Sequence, residues 1–221
     1  MPVWQSLYAD ARNSNFVVVA VALDVPEAAR PWIEVAKPDY PCLIDRDHQV
    51  ADLFNFTNVP QAVWIDEDGR IVRPPENAGS SDAFRRMDRT TKQMTAEQLK
   101  ERERTKSIYV AALRDWIAKG AGSEFVYTPA QVRDRLRVPD HGIMQAHAHF
   151  RLAQYLVRHG RHEEALAHYA EASRLHPESW SIWRQGAEKD PTGTATSPEF
   201  WARVDALGEQ PYHRPIDMKG I

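Results

Sequence analysis

Over the first third of the chain the spacing of hydrophobic residues changes period several times, and each change predicts an element. Trp4, Leu7, Tyr8 and Ala11 recur at helical spacing, which predicts an amphipathic helix over residues 2–12 ending at Asn13-Ser14-Asn15. Phe16 to Leu23, FVVVAVAL, is a continuous apolar run dominated by β-branched residues and predicts a strand buried on both faces, of the parallel kind. Asp24 is expected to cap the next helix, with Pro26 in its first turn and Ala28, Trp32 and Val35 facing inward; Pro31 should kink that helix or restart it. Tyr40 to Asp45 predicts a short strand, and Asp47 the cap of a helical turn carrying Val50, Leu53 and Phe54. Gln61–Asp66 and Arg70–Arg73 then read as a β-hairpin, because β-formers flank Asp68-Gly69, a pair suited to a tight turn. Val59-Pro60 stands at its entrance, where proline removes a ladder donor and holds Val59 extended.

Beyond Arg73 the pattern becomes helical. Pro74, Pro75, Gly79, Ser80 and Ser81 argue against a central strand, so a domain boundary is expected there, with residues 79–94 as a linker. Thr95-Ala96-Glu97-Gln98 is a capping box opening a long helix to Gly120, with Leu99, Ile108, Ala111, Ala112, Trp116 and Ile117 on its apolar face. Thr128-Pro129 opens a shorter helix through Leu136. Within residues 146–179, small Ala153 and Ala165 permit close helix approach, Gly160 permits a turn, Tyr169 fills the groove and Pro177 stops the second helix. With Leu152 and Ala172 these positions resemble one tetratricopeptide repeat, although Leu156 replaces the usual aromatic and His149 and His162 also depart from the pattern. One copy cannot bury its own faces, so the hairpin is expected to pack on the helices at 95–119, 129–136 and 198–207.

An extended Val59-Pro60 before the hairpin WIDEDGRIV resembles the thioredoxin superfamily, specifically its TlpA/ResA-like branch, over about residues 2–78. The fold class implied is an α/β thioredoxin-like sandwich over 1–78, followed by an all-α, tetratricopeptide-like domain over 95–221. The resemblance implies a cis Val59–Pro60 bond whose backbone pairs with an extended substrate, and Trp4 beneath the redox motif; Val59, Pro60 and Trp4 are thus the substrate-binding residues it supplies. Yet the chain holds one cysteine, Cys42, and no CxxC, and Pro2 matches the proline that follows the family's motif. Both the first strand and the redox motif are therefore expected upstream of Met1. The tail SPEFWARVDALGEQPYHRPIDMKG is similar to that of a subgroup carrying WAxxUGC, with U selenocysteine, which implies a UGA codon read as a stop. The missing strand would be central, leaving residues 16–23 and 61–66 about 9.6 Å apart, two strand spacings, or forced together. The slot is expected to be filled by a strand from a second copy, making a homodimer, or by re-pairing of residues 16–23; failing that, the protein should be poorly soluble.

Composition adds mainly exclusions. A net charge of -3 over 221 residues, with no basic cluster interleaved with aromatics, argues against nucleic acid, and no apolar run is long enough to span a bilayer. A lone cysteine rules out an internal disulfide and suits the cytoplasm. Seven of the nine histidines fall between His141 and His176, but His147 and His149 point to different helix faces and no suitable carboxylate completes a set, so no metal is expected. No cofactor motif is present and none is expected. Asp66, Glu67 and Asp68 read as turn formers, and Cys42 as a buried thiol, since reactivity would need exposure and a cation such as Arg46.

Two functions follow. The first is a thiol–disulfide oxidoreductase of the TlpA/ResA type, acting on a protein thiol or disulfide, with its catalytic residues outside this chain. The second is a redox-inactive thioredoxin-fold module with the helical region as a platform for a protein partner.

Overall fold

The computed structural model describes residues 2–189 and 196–221. Its elements run α1 (Pro2–Asp10), β1 (Ala20–Ala22), α2 (Pro26–Ala36), β2 (Cys42–Ile44), α3 (Gln49–Leu53), β3 (Gln61–Ile65), β4 (Ile71–Asn77), α4 (Ala96–Lys119), α5 (Pro129–Arg135), α6 (His141–Arg158), α7 (His162–Leu175), α8 (Trp180–Gly186) and α9 (Pro198–Ala206). A short 3-10 helix, Asp82–Arg86, precedes α4. The described strands form two sheets of two strands each: β1 with β2, parallel, and β3 with β4, antiparallel. This is an α/β segment followed by a helical region, as the hydrophobic pattern predicts.

The chain divides into two compact units, neither of them one stretch of sequence. One gathers Val18–Val59 with Arg137–Arg203; the other gathers Val3–Val17, Pro60–Leu136 and Val204–Ile221. The first therefore holds β1, α2, β2 and α3 together with the helical hairpin. The second holds the β-hairpin, α4 and the C-terminal tail around a core of Leu7, Trp64, Tyr109, Leu113, Ile216 and Met218.

Several local readings need correction. The run 16–23 ladders over three residues only, and Val17 and Val19 are about half exposed, because β1 has a single strand neighbour. In α2 the inward face is Ala29, with Ile33 and Ala36 partly covered, whereas Trp32 and Val35 are 71% and 82% exposed. The covered face lies one residue C-terminal to the predicted one, and Pro31 lies inside one continuous helix. Asp24 does not cap α2; its carboxylate accepts the Val25 N–H at 2.8 Å. At α3 the capping carboxylate is Asp45, not Asp47: it accepts the Gln49, Val50 and Ala51 N–H groups at 2.8, 2.8 and 3.2 Å, and Leu53 faces solvent. Strand β4 runs on through Pro74 and Pro75 because it is an edge strand with irregular register, where missing N–H groups cost no ladder bond.

The segment 79–94 is packed rather than loose. Ala83 is fully buried, Phe84 meets Tyr212 edge to face, and Asp82 accepts from the Tyr212 and His213 N–H groups. Both capping boxes form, at Thr95/Gln98 and Thr128/Gln131. On α4, however, Tyr109 and Leu113 are buried while Leu99 and Ala111 are exposed. In the helical hairpin Phe150, Ala153, Leu156, Ala165, Tyr169 and Ala172 form the core with Ile182 of α8. Leu152, a repeat position, is exposed, and α8, which the pattern did not predict, is the helix that covers α7. Gly186 makes this approach feasible, since a Cβ there would lie 2.7 Å from the Cβ of Tyr169.

Candidate functional site

The three residues implied by resemblance are placed as follows. Val59 is exposed after Asn58, whose side-chain oxygen accepts its N–H, and the Pro60 carbonyl accepts from Ala78 N–H at 3.2 Å. Trp4 is partly buried on the second unit's core, edge-on to Tyr109 with ring centroids 6.5 Å apart. Cys42 sits in β2, partly covered, and burial pushes its thiol up from the ordinary value. Arg46, the cation that could have lowered it, pairs with Asp47 instead. A raised, partly covered thiol is a poor nucleophile at neutral pH.

His147 and His149 lie on different faces of α6, as their spacing predicts, and both find side-chain partners within the fold. Asp52 of α3 accepts His147 Nδ1–H at 2.8 Å and two N–H groups of Arg151, both from α6. Asp47 accepts from Arg158 at 2.7 Å, His48 stacks edge-on to Phe150 at 5.0 Å, and Asn58 Oδ1 accepts from Arg184 at 3.0 Å. Together these contacts bind the segment Asp45–Asn58 to the helical hairpin and α8 inside one unit. His147 is mostly buried; burial pushes its pKa down, the Asp52 carboxylate pulls it up and Arg151 lowers it again. His48 is 5% exposed and likewise pushed down by burial, against the pull of Asp45, Asp24 and Asp47. Elsewhere His149 and His168 share one Nδ1–Nδ1 hydrogen bond of 2.8 Å. Among the described residues no three His, Cys, Asp or Glu side chains converge as a metal site would need.

Sequence reasoning missed the His147–Asp52–Arg151 cluster because its members come from α3 and α6, far apart in the chain. The one available signal was the spacing of His147 and Arg151, i and i+4 on one helix face, opposite a short helix carrying an acid.

Residues 1–73 match the AhpC/TSA family and residues 146–188 match the tetratricopeptide repeat. No curated protein and no solved structure matches the chain. No helix among the described residues is long and apolar enough to cross a membrane. The chain thus carries an AhpC/TSA, thioredoxin-like segment at its N-terminal end and a tetratricopeptide repeat toward its C-terminal end.

Proposed function

We propose that the chain is the docking and scaffolding part of a cytoplasmic thioredoxin-like thiol–disulfide oxidoreductase of the TlpA/ResA type. In this reading Val59 and a cis Pro60 offer backbone to an extended protein substrate, Trp4 supports the redox centre, and the attacking thiol or selenol is not among the 221 residues. The observation carrying it is the AhpC/TSA match over residues 1–73 combined with a lone Cys42 whose thiol burial pushes up. Disulfide exchange proceeds through a thiolate, and release of the mixed disulfide usually takes a second thiol. Peroxide reduction by Cys42 meets the same obstacle, since sulfenic acid forms from the thiolate.

The test is reduction of a protein disulfide by the 221-residue chain with a dithiol donor, repeated with Cys42→Ser. No turnover above the donor alone is expected from either protein. Turnover lost with Cys42→Ser would make Cys42 the nucleophile and overturn the reading. Translating the DNA upstream of Met1 separates the second reading, a redox-inactive binding module, which the raised Cys42 thiol also favours. An in-frame UGA or Cys codon followed by Gly-Cys supports the oxidoreductase, and an upstream region that cannot be translated supports the module.

A further inference from the structure

Helix α2 turns its larger apolar side chains away from the protein. Its covered positions are Ala29, Ile33 and Ala36, and the helix packs against β2. Ala28, Pro31, Trp32 and Val35 are all exposed, Trp32 by 71% and Val35 by 82%, and they recur at the i, i+3, i+4, i+7 spacing of a single apolar stripe. Val25, 44% exposed, stands at the head of that stripe. Apolar residues scattered singly over a surface need no partner, but a stripe at helical spacing with a tryptophan at its centre has the form of a helix face that a partner covers.

The border of the stripe is acidic. Glu27 and Glu34, two helical turns apart and both exposed, flank it on the Pro31 side. Arg30 stands beyond them, farther from the stripe, and among the described residues no ion pair joins it to either glutamate. The opposite border, beside Trp32, passes directly to the covered Ala36 and Ala29.

This pattern selects among occupants. The backbone groups in the middle of a helix are engaged within it, so an extended strand gains no ladder there, whereas a second helix can seat its own i, i+3, i+7 residues at about 8–10 Å between axes. A second copy of α2 is a poor match. Packed antiparallel it would align four glutamates along one border, and packed parallel it would set each acidic border against the apolar Trp32 border of the other copy. A lipid surface is a poor match too, since helices that lie on anionic membranes carry Lys and Arg beside the apolar face.

We propose that the outer face of α2 is a docking surface for an amphipathic helical segment of a protein partner, whose apolar residues seat against Trp32 and Val35 and whose Lys or Arg side chains meet Glu27 and Glu34. The surface belongs to the AhpC/TSA-like segment, apart from the tetratricopeptide hairpin and from Val59 and Pro60. It holds whichever redox reading is correct.

The test uses the whole chain and two fluorescently labelled peptides, both helical with leucines at i, i+3, i+7 and i+10, one carrying Lys and the other Glu along one border. Fluorescence anisotropy should show the Lys peptide binding at least about tenfold more tightly than the Glu peptide, and Trp32→Ala should weaken it by at least about tenfold, as an anchor residue would. Glu27→Lys/Glu34→Lys should reverse the preference. All three side chains are exposed, and unchanged circular dichroism would show that these variants fold. No binding of the Lys peptide, or binding that Trp32→Ala leaves unchanged, would overturn the proposal. Light scattering and flotation with phosphatidylcholine/phosphatidylglycerol vesicles complete the test: self-association or vesicle binding that Trp32→Ala abolishes would overturn it in favour of a second copy or a membrane.

Discussion

Each unit buries a nitrogen base against a carboxylate, Arg73 against Glu76 in one and His147 against Asp52 in the other, and the two bases are held in different ways. Arg73 is 1% exposed. Its Nε and Nη2 donate to the two Glu76 oxygens at 2.7 and 2.8 Å, and Nη1 and Nη2 donate to the carbonyls of Phe125 and Asp217 at 2.7 and 3.0 Å. Its guanidinium lies 4.5 Å from the Tyr127 ring centroid and 5.3 Å from that of Trp64. His147 pairs through Nδ1 with Asp52 at 2.8 Å, and its Nε2 is buried. The difference follows from the groups themselves. A guanidinium cannot shed its charge, so burying it demands partners for several N–H groups at once, whereas an imidazole can enter neutral with a single N–H to satisfy.

Replacing Arg73 with Ala should have the largest effect. It strands Glu76, whose carboxyl burial pushes up and the two Arg73 hydrogen bonds hold down, and it unties β4 from the 123–127 loop and the tail. A loss of about 3–5 kcal/mol is expected in urea unfolding, with Arg73→Met/Glu76→Met losing distinctly less because no charge is left unpaired. A cost below about 1 kcal/mol for Arg73→Ala would mean that the pair is solvated and the contrast with His147 is unfounded.

Neither cluster was legible in the sequence, although much of the frame around them was. The β-hairpin was readable because Asp68-Gly69 fixes its turn chemically, and Gly69 has φ +77°. The Thr95/Gln98 and Thr128/Gln131 boxes were readable because both partners lie within one turn. The repeat-like hairpin was readable from Ala153, Ala165 and Tyr169, whose sizes are dictated by close helix packing. What failed depended on neighbours the local pattern cannot supply. Shifting α2 by one residue exchanges Ala28 for Ala29 and Trp32 for Ile33 as the covered side chains, and composition alone favours burying the tryptophan. Asp45 and Asp47 are equivalent candidates until β2 fixes which carboxylate meets the α3 amides. Arg73 reads as a polar strand-end residue until Phe125 and Asp217 bring their carbonyls to it.

Acid should act on the His147 cluster next. His147 and His48 have native pKa values below the ordinary 6.5, with burial the main cause for both. Below pH 6.5 the unfolded chain then binds protons that the folded chain does not, so stability is full above that pH and falls as pH drops through the folded values. The groups facing His147 are Asp52 of α3, Arg151 of its own helix and His176 after α7; those facing His48 are Asp45, Asp24, Asp47 and Lys189. The slope is at most about 1.4 kcal/mol per pH unit for each histidine, so a loss of about 1 kcal/mol between pH 7 and 5.5 is expected. His147→Gln, which keeps a donor for Asp52, should flatten the profile in urea titrations. An unchanged slope in that variant would place the acid sensitivity elsewhere.

The smallest effect should come from Arg151, the second partner of Asp52. Arg151 and Arg73 both make forked contacts with a carboxylate, but Arg151 reaches one Asp52 oxygen only, Oδ2, with Nε at 3.1 Å, and its side chain is 52% exposed. Water can replace what it gives, and ordering a long side chain offsets part of the Coulomb gain. Arg151→Gln should therefore cost about 0.2–1 kcal/mol, and less still in 1 M salt, where the Debye length is about 3 Å. It should also raise His147's pKa slightly, since Arg151 is one of the groups lowering it, and so weaken the acid sensitivity rather than deepen it. Urea unfolding at low and high salt, with the His147 proton followed by NMR, measures both effects. A salt-independent loss above about 2 kcal/mol would mean that Asp52 is desolvated as Glu76 is, and that Arg151 completes a buried network of the Arg73 kind rather than a surface pair.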